Sequence, residues 1–517
     1  MKKLACLLLA ALMLLGLVAC GETPPAETTP PAATNAPATT DAPTPDPSEP
    51  IKDIVLVSLV INASTGDQAE VIEEINKIAR AKTGTQMTFL SLTMSAYYEQ
   101  MNLMLASGEK LDIVQTGLAA GIYDYTNQVN KGLILPLNDL VAEHGQAIAE
   151  ALGEEYLHAA STVDGQYYAV TQRRDLATAA SVQFVKEFMD KHNIDITGYT
   201  EYLEMGPLFQ QAIDADPNII GALAGDGGNL GGETYISNLI DTLGDDFGMF
   251  LDNKDEGMEI TTWWEDPEFT AAIKVIRDWY TSGYTLQDVG TNTITAKEMI
   301  QSSRLFAMPG GLKAGEAGQT LRSTGKEVEV VQVSPFFART YSVCSFLWGI
   351  AYQSEDPVAA MKFLNLMYED ADVVNLFIYG IEGKHWQFLP DGRVTYADGV
   401  NNDNIRYRLN INWVWGDTFK MHVWETDDID VWEQMDRDNR EGVKSKALGF
   451  VFDTEPVKND VASIANVIQE YKRSLLNGMI DPETAVPEMM TKLRAAGFDD
   501  VLAEKQSQLN TWYAAQS

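Results

Sequence analysis

The sequence predicts an α/β fold, a doubly wound sheet with helices on its faces, and three observations carry that prediction. Ile54 to Ile61 is a continuous apolar, β-branched run, the pattern of a strand buried on both faces rather than an alternating edge strand. Val71, Ile72, Ile75, Ile78 and Ala79 then fall on one helical stripe. Beyond them, strand and helix signals keep alternating, which is the order of a parallel sheet wound with helices.

Taken from its start, the chain opens with Lys2 and Lys3, an uncharged apolar run from Leu4 to Val18, and then Ala19 directly before Cys20. That run is shorter than the roughly 20 residues needed to span a bilayer core, so it reads as a secretory signal rather than a membrane helix. Leu17-Val18-Ala19-Cys20 resembles the bacterial lipobox. The resemblance implies removal of residues 1–19 and a diacylglycerol on the Cys20 sulfur, with enough acyl chain for stable anchoring. Gly21 to Pro50 is almost only Pro, Thr, Ala and acidic residues, which cannot bury enough surface to fold. Residues 20–50 are therefore expected to form a linker; extended at about 3.1 Å per residue it reaches roughly 90 Å.

The folded part follows in order. The first strand ends at the polar stretch Asn62 to Thr65, the helix carrying Val71 to Ala79 comes next, and a second strand is expected around Met87 to Leu92. A helix from about Tyr97 to Ala106 leads into a third short strand, Leu111 to Val114. Ligands of such sheets gather at the carboxyl ends of strands. Asn62 and Thr65, and Thr116 within Gln115 to Leu118, are the first positional candidates.

Composition narrows the function. With 517 residues and 45% hydrophobic content the chain can bury more than one core. A net charge of -37 argues against nucleic acid and anionic lipid as partners, because both require clustered Lys and Arg. Cys6 leaves with the signal and Cys20 is lipidated, so Cys344 stands alone, inside an apolar run, and reads as a small buried hydrophobe.

Three segments carry a family likeness: Ser107 to Val114, Lys131 to Leu137, and Asp164 to Val170. In order and spacing they resemble the extracellular solute-binding proteins of family 1, which serve ABC importers. The resemblance implies a two-lobed periplasmic-binding-protein-like fold, each lobe a doubly wound sheet flanked by helices, with the chain crossing between lobes more than once. It places residues 51–170 and 343–395 in a first lobe, and 171–342 with 396–517 in a second lobe ending in a helical module. Leu305 to Gly311 resembles the family's strand that ends at the cleft, and Ser345 to Ala351 the crossing back, with Pro357 at a helix start. Tyr379 to Trp386 and the tail from Gly449 to Asp499 resemble a subgroup of these lipoproteins whose C-terminal module has no known function.

Within the second lobe, helices are expected near Gln183 to Lys191, Leu208 to Ile213 and Phe269 to Tyr280. Two motifs there invite other chemistry and fail. The loop Gly225 to Gly232 has Leu230 where a dinucleotide fingerprint needs its third glycine. Asp252 to Gly257 has Lys254 at a calcium-ligand position and Trp263 where the bidentate Glu belongs. Catalytic signatures fare no better: there is no GxSxG elbow, and the five histidines form neither HExxH nor HxH. A carboxylate pair for glycoside cleavage cannot be picked from so many acids. His422 and Glu425 lie close in sequence, an arrangement more often structural. No enzyme activity, metal or cofactor is expected.

A two-lobed binder needs only a shaped cleft that closes on its ligand. Aromatic rings stack on sugar faces while amides, carboxylates or Arg bridge hydroxyls. Trp386, Trp413 and Trp415 are the ring candidates, with Tyr379 and Tyr341 behind them. Trp413 and Trp415 share a side if that stretch is a strand. Glu382 and His385 stand in a Gly-flanked loop, either at the ligand or as a buried charge pair. Arg173 follows the first crossing, to reach the ligand or to pin the hinge, and Asp226, Asn229 and Gly310 complete the second lobe's side. The expected function is a lipid-anchored, extracellular, monomeric receptor that hands a carbohydrate to ABC permease subunits and touches the membrane only through its anchor. A peptide or another small organic solute is an alternative, with Glu382, Arg173 and Asp226 pairing its termini. A surface glycoside-cleaving enzyme is a third.

Overall fold

In the computed structural model the first strand, Lys52–Val60, buries Leu56 and Val57 completely, as a strand covered on both faces must. It lies parallel to Thr85–Thr93 on one side and Ile113–Thr116 on the other. The sheet runs Thr85–Thr93, Lys52–Val60, Ile113–Thr116, Leu347–Ile350, Ala169–Thr171. Its one antiparallel member is Leu347–Ile350, which returns from much later in the chain. Helix Pro357–Glu369 starts as its sequence predicts: Pro357 occupies the first turn and the Asp356 carboxylate accepts the Ala359 N–H at 3.0 Å.

The structure describes residues 49–119, 123–159, 165–225, 230, 239–254 and 256–515. All fall in one unit, Thr44–Ser517. The signal, Cys20, nearly all of the linker, Asp226 and Asn229 lie outside the described residues.

A second sheet runs Val328–Gln332, Ala179–Val185, Leu305–Leu312, Gly221–Leu223. Here the helix expected from Gln183 is corrected, since Gln183 lies in strand Ala179–Val185 and the helix starts only at Lys186. Every residue of that strand is buried, and the apparent helical break, Gln183, is polar inside because Thr320 Oγ1 donates to its amide oxygen at 2.6 Å.

A third core joins Trp263, Trp264 and Phe269 to the C-terminal helices Lys458–Leu476, Pro482–Ala495 and Phe498–Ala515 through Ile464, Met489 and Leu509. The three-stranded sheet Ile260–Thr262, Met249–Asp252, Ile240–Asp241 belongs to the same body.

The lobe boundary expected at residue 396 is also corrected by packing. Tyr407, Leu409, Ile411, Val414 and Trp415 fill the first core, and Tyr407–Arg408 pairs with Ser64–Thr65. Trp415 stacks on Phe377 with ring centroids 4.0 Å apart and 5° between planes. Burying such a ring outweighs any preference for the later lobe.

Three passages of chain run side by side between the two large sheets. Thr178 bridges Phe337, and Phe337–Ala338 pairs in parallel with Val443–Lys444. Buried Asn439 ties them: its Oδ1 accepts the Leu176 and Ala177 N–H groups at 2.9 and 3.0 Å, and its Nδ2 donates to the Arg174 carbonyl at 2.6 Å.

Candidate functional site

A cavity of about 690 Å³ opens beside these three passages. One wall comes from residues 378–435, the other from Lys313 to Gly315 and the helix Glu316–Thr324, and Arg174 and Asp175 close the end. The size lies within the range of small-molecule sites.

Rings dominate the first wall. Trp424 stacks on Tyr379 at 5.6 Å and 29°, with Tyr396 edge-on at 5.0 Å. The Tyr379 hydroxyl donates to the His422 carbonyl at 3.0 Å, and the Trp432 indole N–H to the Met421 carbonyl at 2.8 Å, which fixes both rings. Trp386 is 5% exposed and donates to the Gly380 carbonyl, so it presents little more than an edge. Trp413 lines the cavity from a short 3-10 turn, Asn412–Val414, and its indole N–H is buried with no partner among the described residues. Asn402, Asn410 and Asn412 place amides among these rings.

The second wall reaches the first through Arg322, whose guanidinium bonds the Asp427 carboxylate at 2.7 Å and the Thr426 hydroxyl. Burial raises the Asp427 carboxyl although Arg322 opposes it. Gly318 makes this approach possible, because a Cβ there would lie 2.5 Å from Asp427 Oδ1 and 2.6 Å from the Thr426 carbonyl.

The comparisons with known proteins fit this geometry. Residues 446–514 match a domain of unknown function, DUF3502. A carbohydrate ABC transporter substrate-binding protein of Streptococcus pneumoniae serotype 4 (strain TIGR4) is 26% identical over 459 residues, spanning 86% of this chain and 88% of that protein. The crystal structure of the N-glycan transport solute binding protein NgtS from Streptococcus pneumoniae superposes with a TM-score of 0.80 at 24% identity, covering 90% of this chain and all (100%) of that one. This chain shares the fold of that solute-binding protein. The same NgtS in complex with Man1GlcNAc superposes with a TM-score of 0.71 at 23% identity, over 90% and 100% of the two chains.

On this fold the residues expected at the ligand divide. Tyr379, His385, Trp386 and Trp413 line the cavity. Trp415 does not: it is fully buried in the first core, because the stretch is a turn rather than a strand, and successive positions two apart no longer face one side. Gly416, at φ +51° with its Cβ position 2.0 Å from the Met367 carbonyl, makes that tight passage. Arg173 lies outside the cavity lining. It pairs with Asp417 at 3.2 Å and Asp436 at 2.7 Å and lies 4.8 Å over the Phe419 ring, while its neighbour Arg174 lines the cavity.

His385 faces the cavity mainly as part of a buried charge cluster. Its Nδ1 accepts the Ile381 N–H at 2.9 Å, leaving Nε2–H toward Asp67 at 3.3 Å. Lys384 and Arg406, each 2.9 Å from the Asp67 carboxylate, hold its pKa down to about 2 against desolvation, and burial pushes the His385 imidazole below its ordinary value. Glu382 is exposed and outside the lining. Thr116 is buried and donates to Gln128 at 2.7 Å, and Tyr341 is 43% exposed away from the cavity. Asn62 and Thr65 act through backbone: Asn410 donates to the Asn62 carbonyl, and Thr65 pairs with Tyr407, so both hold a cavity segment without lining it. The Gly310 carbonyl accepts from Ser181, two residues before the Leu312 end of its strand, and Lys313 rather than Gly310 reaches the cavity.

Sequence reasoning missed Trp424, Trp432, Tyr396, Arg322 and Arg408. One signal was available: four Trp residues stand at 413, 415, 424 and 432, directly after Asn401, Asn402, Asn404, Asn410 and Asn412. Among the described residues no group of three or more His, Cys, Asp or Glu side chains is placed to hold a metal ion. Cys344 is buried, with its thiol pushed far up by desolvation.

Proposed function

We propose that this protein is a lipid-anchored, extracellular receptor that binds an oligosaccharide in the cavity of about 690 Å³ and delivers it to the permease of an ABC importer by closing about the hinge. The observation that carries this reading is the wall itself. Trp413, Trp424, Trp432 and Tyr396 offer apolar faces for sugar rings, with Asn402, Asn410 and Asn412 between them for hydroxyls. Nothing in that lining supplies a nucleophile with a base beside it, and binding needs none. The relative named as a carbohydrate ABC transporter substrate-binding protein, and NgtS crystallised with Man1GlcNAc, support the ligand class. The lipobox at Cys20 supports the anchor, and a tether keeps each encounter with the permease local.

Thermal-shift and calorimetric titration of the mature protein with oligosaccharides and with peptides tests the ligand class. A ligand at 100 times its dissociation constant adds about 2.7 kcal/mol of stability, a readily measured shift. A response to peptides and to no glycan refutes the reading. Replacing Trp413 and Trp424 together with Ala is expected to weaken glycan binding at least tenfold; unchanged affinity removes the wall from the site. Cys20→Ala is expected to release the protein from the membrane with affinity intact.

A further inference from the structure

Four cationic side chains line the cavity, Arg174, Lys313, Arg322 and Arg408, against three carboxylates, Asp175, Glu425 and Asp427. The pairing is uneven. Asp427 takes Arg322 at 2.7 Å, and Glu425 accepts from the Thr395 hydroxyl at 2.7 Å. Asp175 alone serves both Arg174 at 3.3 Å and Lys313 at 3.5 Å. Burial works to raise the Asp175 carboxyl, yet Lys313 and Arg174 together hold it below the usual carboxylate range, so it stays ionised and is fully used.

Arg408 has no carboxylate within ion-pair distance among the described residues. One arm, Nη1, bonds the neutral amide oxygen of Asn402. Its Nε is buried without a partner, and no hydrogen bond engages Nη2 among the described residues. The side of the guanidinium formed by Nε–H and the far Nη therefore has no acceptor among the described residues, and two parallel N–H donors are the shape that receives a carboxylate. The backbone holding it is fixed, because Arg408 pairs with Ser64 and the Tyr407 hydroxyl donates to the Phe377 carbonyl at 3.0 Å. A buried guanidinium edge left without acceptors is costly, and a neutral hydroxyl can take one N–H without offsetting the charge. This excess of positive charge sits in a chain of net charge -37, whose general field repels anions; only a local reversal of sign makes the cavity receptive to one.

We propose that the ligand is an acidic glycan, and that Arg408 receives the carboxylate of a uronic or sialic acid unit in bidentate fashion. This rests on the reading of the cavity as an oligosaccharide site. Calorimetry on the mature protein compares matched pairs: trigalacturonate against a neutral galactose trisaccharide, and sialyllactose against lactose. At least one acidic member is expected to bind tenfold or more tighter than its neutral counterpart, with the advantage shrinking as salt is raised. The pair that shows it separates a uronate from a sialate ligand. In Arg408→Gln the acidic-to-neutral ratio is expected to fall to about one, while Arg408→Lys, which keeps the charge and loses the fork, retains part of it. Neutral glycans binding as tightly as acidic ones in the wild-type protein overturns this inference and leaves the receptor reading standing. Failure of every glycan, acidic or neutral, overturns both.

Discussion

Replacing Asn439 with alanine tests how the hinge is held. The side chain is 5% exposed and makes three hydrogen bonds to the first crossing, at 2.9, 3.0 and 2.6 Å, to Leu176, Ala177 and Arg174. Its removal leaves the Ala177 N–H without an acceptor, while the Leu176 N–H and the Arg174 carbonyl each lose one bond and keep only each other, at 2.9 Å. A buried polar group left unsatisfied costs about 1–3 kcal/mol, reduced where water can enter the space vacated. Asn439→Ala is therefore expected to lower stability by about 2–4 kcal/mol. Asn439→Asp keeps the acceptor for Leu176 and Ala177 but has no donor for Arg174, so it should fall between. Urea unfolding followed by Trp fluorescence and circular dichroism reads both variants. Because Arg174 lines the cavity, ligand affinity should weaken in step with the stability loss. A midpoint for Asn439→Ala within about 0.5 kcal/mol of the wild type would refute the claim that this amide fastens the crossing.

Gly318→Ala should separate closure from folding. The added Cβ meets Asp427 and Thr426 only where the helix Glu316–Thr324 abuts the opposite wall, so ligand affinity is expected to drop about tenfold, the low end of an overpacking cost, with little change in melting temperature. Trp415→Ala is expected to cost about 3–5 kcal/mol in an unfolding titration, since it empties a stacked core position, whereas Trp413→Ala should spare stability and lower affinity. Acidification should reveal the Asp67 cluster. The folded carboxyl sits at about 2 against an ordinary 3.8, so its contribution is complete above pH 3.8 and is lost as pH falls toward 2. His385, lowered by burial, adds a loss in the same direction below its ordinary value of 6.5. Melting temperatures measured on acidification through that range should fall less steeply in Asp67→Asn than in the wild type; parallel curves would exclude Asp67 as the cause.

The first sheet was legible because its central strand, Lys52–Val60, is apolar on both faces, and Pro357 announced its helix because Pro and an Asp cap are local signals. Gln183 misled for the opposite reason: a large polar side chain inside AASVQFV is tolerated because Thr320 and Glu316, from a distant helix, satisfy it. Trp413 and Trp415 would share a side only on a strand, and the stretch is a turn because of Gly416 and the Met367 carbonyl it approaches, a neighbour far away in sequence. The second wall was invisible for the same cause. Arg322 and Asp427 lie 105 residues apart, and nothing in either local pattern pairs them.

The third core has a consequence for how the molecule is made. Trp263, Trp264 and Phe269 are completed by Ile464, Met489 and Leu509, about two hundred residues later. Contacts of such long separation form late, since the intervening chain must first be closed into a loop. Until the final helices have folded, the chain presents these aromatic side chains without cover, a surface on which partly folded chains stick to one another. The three C-terminal helices, Lys458–Ala515, thus complete the folding of the whole protein, and a chain ending before Lys458 would carry an exposed aromatic face however well its first sheet had folded.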